Sequence, residues 1–108
     1  MLIISNSGRN AEPIEMAMLV RQKGLKVIVV TSMAHTGSVT SRHSSGKKLH
    51  ELADIVLDNG VPPGDAILAL EGTAAKTGPV STILGAAVLQ SMMVEAVQHM
   101  LSQGYQPP

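Results

Sequence analysis

The run Val27-Ile28-Val29-Val30 constrains this chain more than any other segment. It is purely β-branched and shows no apolar–polar alternation, so it has no face to offer to water. A strand of that kind is buried on both faces, as in a parallel sheet. Parallel neighbours must be joined by crossovers, and the flanking segments have the composition for them. Leu2-Ile3-Ile4 is a short apolar run that stops at a Ser/Asn/Gly cluster and reads as a buried strand. Asn10 is placed to cap a helix with Glu12 and Pro13 in its first turn. Ile14, Ala17, Met18 and Arg21 share a stripe, and Gly24 ends that helix after Arg21 and Lys23.

Beyond Thr31-Ser32, residues 33–46 read mainly as a loop rich in Ser, Thr, His and Gly. A short helix over Lys47–Ala53 leads into a third strand, Asp54–Leu57. Asn59-Gly60 and Pro62-Pro63-Gly64 form a second loop. Ala66–Leu70 reads as a further strand, and Glu71–Gly78 as a polar loop. Pro79 opens the longest helix, which runs to about Gln103 and stops at Gly104. The order β-α-β-α-β-(β)-α predicts one α/β domain over 1–108, a three-layer αβα sandwich on a parallel sheet of flavodoxin type.

Composition narrows the function classes. The 108 residues carry eight basic and eight acidic side chains, so no net charge draws the chain to nucleic acid or an anionic membrane. Tyr105 is the single aromatic residue, which leaves no platform for stacked bases. Cysteine is absent, which removes disulfides, thiolate metal sites and cysteine nucleophiles and suits a reducing cytoplasm. No His and carboxylate spacing matches a metal site, and no cofactor is expected. The N-terminus turns polar at Ser5 and lacks the form of a signal peptide. The longest apolar stretch, Ile83–Leu101, is broken by Gln90, Ser91, Glu95, Gln98 and His99, so no membrane partner is expected.

In parallel sheets ligands sit at the carboxyl ends of the strands. After the first strand come Ser5, Asn6, Ser7, Gly8, Arg9 and Asn10. Two hydroxyls, a glycine and free backbone N–H groups at a helix start favour an anion. A polar turn with an Asn10 cap accounts for the same residues, and spacing alone does not choose. Thr31 and Ser32 end the second strand on the same edge; local hydroxyl–backbone bonds are the alternative. His43 lies among Ser41, Arg42, Ser44, Ser45, Lys47 and Lys48, as a general acid/base or as part of an exposed loop. His35 carries the same ambiguity. Glu71 follows the fourth strand, as an isomerase base or as a solvated acid. Ser81 and Thr82 open the last helix, as anion contacts or simple caps.

Ser5-Asn6-Ser7-Gly8-Arg9-Asn10-Ala11-Glu12 resembles the Ser-x-Ser-Gly-x-(Thr/Ser/Asn)-x-Glu loop of SIS (sugar isomerase) domains. The Val-Ile-Val-Val-Thr strand, Ala53–Leu57 and the Ser81-Thr82 pair resemble that family in the same order. The likeness is nearest to bacterial phosphosugar-binding proteins of the phosphoheptose isomerase type. It implies that Ser5, Ser7 and Asn10 hold a sugar phosphate and that the chain takes part in aldose–ketose isomerisation. A non-catalytic phosphosugar sensor is the alternative. Such domains have further helices and a strand before this loop, so the chain resembles the C-terminal part of one, lacking the N-terminal elements. In isomerase members a catalytic Glu comes from that earlier part or from a neighbouring subunit. The apolar last helix then implies a homo-oligomer, or cover by the earlier part. A nucleotide fold is disfavoured, since the first loop lacks Gly-x-Gly-x-x-Gly and Gly-x-x-x-x-Gly-Lys-Ser/Thr.

Overall fold

The Val-rich run becomes the middle strand of a three-stranded parallel sheet in the computed structural model, described here for residues 1–107. Its order is β1 (Leu2–Ile4), β2 (Ile28–Thr31) and β3 (Ile55–Asp58). Ile3 pairs with Val29, and Val29 with Val56. The crossover from β1 to β2 is α1 (Ala11–Gln22); that from β2 to β3 holds α2 (Met33–Gly37) and a 3-10 turn at Leu49–Leu52. The fold class is therefore α/β, with the parallel sheet that the β-branched run demands.

The core lies between the sheet and α1. Ile14, Ala17 and Val20 of α1 meet Ile3, Val27 and Val29, with Leu49 and Leu52 of the 3-10 turn closing the end. Ile14, Ala17, Val27, Val29 and Leu49 are fully buried. Helix α1 ends in a Schellman motif: Gly24 N–H donates to Arg21 O (2.9 Å) and Leu25 N–H to Val20 O (3.2 Å). Gly24 takes φ +73°, which costs a glycine little. The chain then enters β2 within a few residues.

Asp54 fixes where β2 and β3 begin. Its Oδ2 accepts from Val27 N–H at 2.9 Å and its Oδ1 from Lys26 Nζ at 3.1 Å. Its own N–H donates to Val27 O at 2.8 Å, and Arg21 Nη1 stands 3.6 Å away. The Val27 N–H, and then Lys26, hold this carboxyl below its ordinary range.

Several boundaries differ from the sequence expectation. Residues 33–37 are helical rather than loop, because Ser32 Oγ caps them by accepting from His35 N–H at 2.9 Å. The Lys47–Ala53 helix contracts to the 3-10 turn, held by Lys48 N–H to Glu51 Oε2 at 2.6 Å. The fourth strand, β4 (Ala66–Leu68), does not join the parallel sheet. It pairs antiparallel with β5 (Thr77–Pro79), inside the stretch expected as loop. Asp65 turns the chain there at φ +68°, away from the sheet edge. The last helix, α3, spans Ser81–Ser102 and starts after Pro79, which closes β5 instead.

Among the described residues, the second face of the sheet is covered by α3 alone, chiefly by its first turns. There a side chain at Gly85 would lie 3.4 Å from Ile4 Cγ2. Ile4 and Ile55 stay largely exposed on that face, as do Ile83, Met93, Val94 and Leu101 along α3. The radius of gyration is 16.3 Å, against about 13 Å for a compact domain of roughly this size. Every residue of α3 from Met93 to Ser102 is exposed, so the far end of the helix stands clear of the sheet. No helix among the described residues is long and apolar enough to cross a membrane.

Because the Asp54 carboxyl is depressed on folding, its contribution is complete above the ordinary carboxylate range and fades as pH falls through the folded value. Asp54→Asn is expected to lower stability at neutral pH. The gap to wild type should close in acid below the ordinary carboxylate range. Urea unfolding of both proteins across that range checks this.

Candidate functional site

The segment Ser5–Asn10 joins β1 to α1 at the carboxyl edge of the sheet, and its carbonyls are turned inward. Ser5 O accepts from Gly8 N–H at 3.2 Å. Asn6 O accepts from Ser32 N–H at 3.0 Å and from Thr31 Oγ1 at 3.1 Å. Ser7 O accepts from Thr36 Oγ1 at 2.9 Å. Gly8 O and Arg9 O accept from Leu49 N–H and Arg42 N–H, both at 2.8 Å. Among the described residues, the N–H groups of Asn6, Ser7, Arg9 and Asn10 have no protein acceptor.

Asn10 adopts the extended backbone of an N-cap, yet its side chain makes no cap bond, contrary to the expected cap. Its Oδ1 instead accepts from Arg42 Nη1 at 3.3 Å. The first-turn donors of α1 therefore lack a side-chain acceptor. With carbonyls tied to the scaffold and donors facing outward, the loop is polarised for an anion.

Gly8 makes that geometry possible. Its φ is +57°, and a Cβ there would come within 3.3 Å of both the Thr31 and Thr36 hydroxyls. Thr31, Ser32 and Thr36 are buried, and each hydroxyl is engaged. Thr31 Oγ1 lies 3.3 Å from Thr36 Oγ1, and Ser32 Oγ donates to Val61 O at 2.5 Å. Thr31 and Ser32 thus support the loop from beneath rather than facing the cleft.

The cleft itself measures about 390 Å³ and is lined by Ser5, Asn6, Ser7, Arg9, Asn10, His35, Arg42 and Asp65. Five of these are loop residues named from the sequence. Arg9 is half-buried, and its Nε is shielded from solvent with no protein partner. Arg42 comes from the loop after α2, and His35 from α2 itself. The two guanidinium groups and the outward N–H groups give the cleft a positive end.

Asp65 is the carboxylate of the cleft. Its Oδ1 accepts from Val80 N–H (3.0 Å) and Ser81 N–H (2.8 Å), and its Oδ2 from Ser81 Oγ (2.6 Å). The Ser81 hydroxyl, then the backbone donors, with His35 nearby, hold its carboxyl below the ordinary range. Ser81 is thereby committed to Asp65. Thr82 is exposed and does not line the cleft.

The two candidate catalytic residues stand elsewhere. Ser45 N–H donates to His43 Nδ1 at 3.1 Å, so His43 Nε2–H faces Glu15 Oε1 at 2.7 Å. The ring is a brace between the 41–48 loop and α1. Glu71 is exposed in the turn between β4 and β5 and does not line the cleft. Asp65 and Asn59 escaped the sequence reading. Each enters through contacts distant in the chain, though both sit in turn-forming segments. No group of three or more His, Cys, Asp or Glu is placed to hold a metal among the described residues.

An α/β domain with an anion-polarised loop after its first strand is the class that fold and site define. Residues 1–32, which carry that loop, match the family model described as SIS domain, and the match supports an SIS domain here. The chain is also similar to proteins bearing the name UPF0309. One, UPF0309 protein BH3325 of Halalkalibacterium halodurans, is 50% identical over 107 residues, covering 99% of this chain and 44% of that protein. UPF0309 protein lin2794 of Listeria innocua is 44% identical over 108 residues, covering 100% of this chain and 44% of its own length. A UPF0309 protein of Streptomyces griseus is 44% identical, covering 100% and 43%. The chain therefore spans less than half the length of these relatives.

Gly8→Ala is expected to destabilise the protein by about 1–2 kcal/mol, the usual cost of a left-handed alanine. It should also displace the two threonine hydroxyls. Thermal unfolding measures the first effect. A phosphate titration followed by NMR should show the loss of shifts at Asn6, Ser7 and Arg9 N–H.

Proposed function

We propose that the cleft binds the phosphate of a phosphosugar, a carbohydrate derivative. The observation that carries this reading is the polarity of Ser5–Asn10: its carbonyls are engaged, the N–H groups of Asn6, Ser7, Arg9 and Asn10 have no acceptor among the described residues, and Ser5 and Ser7 line the cleft. Arg9 and Arg42 add charge where a dianionic ester would sit. The SIS match over the same residues supports the sugar half of the reading.

Phosphosugar binding without turnover by this segment is favoured over complete aldose–ketose isomerisation. An enediol route needs a base at the sugar carbon. Asp65 is the carboxylate that lines the cleft, and three donors already engage it. A full isomerase site would require groups beyond these lining residues, from the longer chain its relatives have or from a second subunit. A regulatory domain that senses a phosphosugar needs none. A cytoplasmic setting follows from phosphosugars as ligands.

A homo-oligomer is part of the same proposal. Ile83, Val94 and Leu101 leave α3 with exposed apolar surface, and Ile67 and Leu70 are exposed on the hairpin. Patches of this kind mark association surfaces.

Ser5→Ala with Ser7→Ala is expected to abolish binding of hexose and heptose phosphates while the protein stays folded. Isothermal calorimetry beside circular dichroism reads both, and unchanged binding would end the phosphate assignment. In sedimentation equilibrium the protein is expected above monomer mass at micromolar concentration. A clean monomer refutes the oligomer.

A further inference from the structure

A hydrogen-bond chain that can run in only one direction ends on a histidine of the cleft. It starts at the backbone N–H of Val61, a group that can only donate, and Asn59 Oδ1 accepts it at 3.1 Å. That fixes the Asn59 amide, so its Nδ2 faces Asn6 and meets Asn6 Oδ1 at 3.1 Å. Asn6 Nδ2 is then the group 3.3 Å from His35 Nδ1. An amide NH₂ can donate but has no acceptor lone pair, so the ring nitrogen must accept. In neutral imidazole the other nitrogen then carries the proton.

We propose that His35 is held as its Nε2–H tautomer and that this N–H donates to a hydroxyl or carbonyl oxygen of the bound ligand, separate from the phosphate. The ligand half of this inference rests on the phosphosugar reading; the tautomer half does not. Val61 is fully buried and Asn59 nearly so. Reversing the chain would strand the Val61 N–H away from water. Ser32 Oγ holds the His35 backbone, and His35 lines the cleft. Asn6 has two tasks: its backbone belongs to the phosphate loop and its side chain orients His35. The phosphate site and the second donor are therefore registered by one residue. The ligand class that fits is a phosphate ester with an acceptor oxygen a short distance from the ester. Inorganic phosphate would use the loop alone.

The tautomer is read from two-bond ¹H–¹⁵N spectra of the ¹⁵N-labelled protein above the ordinary imidazole range. A bare Nδ1 and a protonated Nε2 are expected for His35, and a protonated Nδ1 overturns the assignment. Asn59→Asp keeps an acceptor for Val61 N–H but cannot donate to Asn6. The Asn6 amide should then turn and His35 should switch to the Nδ1–H form. A folded variant without the switch refutes the relay. Should that variant fail to fold, the wild-type spectrum still decides. For the ligand half, His35→Leu is expected to weaken hexose and heptose phosphates about tenfold, one hydrogen bond's worth, with inorganic phosphate unchanged. His35→Gln, whose amide nitrogen can replace Nε2–H, should recover most of that loss. An equal loss for both probes, or none for the sugar phosphates, overturns the contact. If wild type binds inorganic phosphate but no sugar phosphate, the phosphosugar reading and the ligand half fall together, and the tautomer stands or falls on its own spectrum.

Discussion

The carbonyl oxygen of Asn6 accepts two hydrogen bonds, from Ser32 N–H and from the Thr31 hydroxyl, and the order of the cleft depends on them. Both donors sit at the end of β2, the most buried strand. The loop thus takes its position from the core rather than from its own short sequence. Once Asn6 O is fixed inward, the loop N–H groups turn outward, and Gly8 can pass over the two threonine hydroxyls. Each buried hydroxyl would cost about 1–3 kcal/mol if left without a partner, so the arrangement resists local rearrangement. The outward orientation of the loop N–H groups is then a consequence of strand burial, transmitted in part through the Asn6 carbonyl.

Much of this was legible in the chain itself, and the reasons are local. The β2 strand and α1 declare themselves through an unbroken β-branched run and a helical stripe ended by Gly24. The Ser5–Asn10 loop is one continuous segment whose geometry is set within a few residues of a strand end. The cleft's other walls were not legible in the same way. His35 falls in a segment whose composition is that of a loop, because its short helix depends on Ser32 for a cap. Asn59 reaches Asn6 across 53 positions, and Asp65 reaches Ser81 across 16. Contacts that distant leave no periodic trace. Only the first strand of the β4–β5 hairpin is legible in the sequence, for a related reason. Thr77-Gly78-Pro79 has little strand character, and only its pairing with Ala66–Leu68 makes it one.

The candidate residues Thr31, Ser32 and Ser81 illustrate a general division of labour at strand ends. Their hydroxyls are plausible ligand contacts by type and position. In the structure each is spent on a fixed partner: a loop carbonyl, the Val61 carbonyl and the Asp65 carboxylate. Hydroxyls beneath the loop organise; Ser5 and Ser7 at its surface face the cleft. Side-chain type does not separate these roles, whereas the fixed partner each hydroxyl holds does.

The contact between Asp65 and the start of α3 has a mechanical side. The helix is about 33 Å long at 1.5 Å per residue, and its bonds to the cleft residue lie at its very first turn. A swing of roughly 10° about that point carries the far end of α3 through about 6 Å and leaves the Asp65 carboxylate almost still. The apolar length of α3 can therefore settle against whatever covers it as a door settles in its frame, with the hinge side undisturbed.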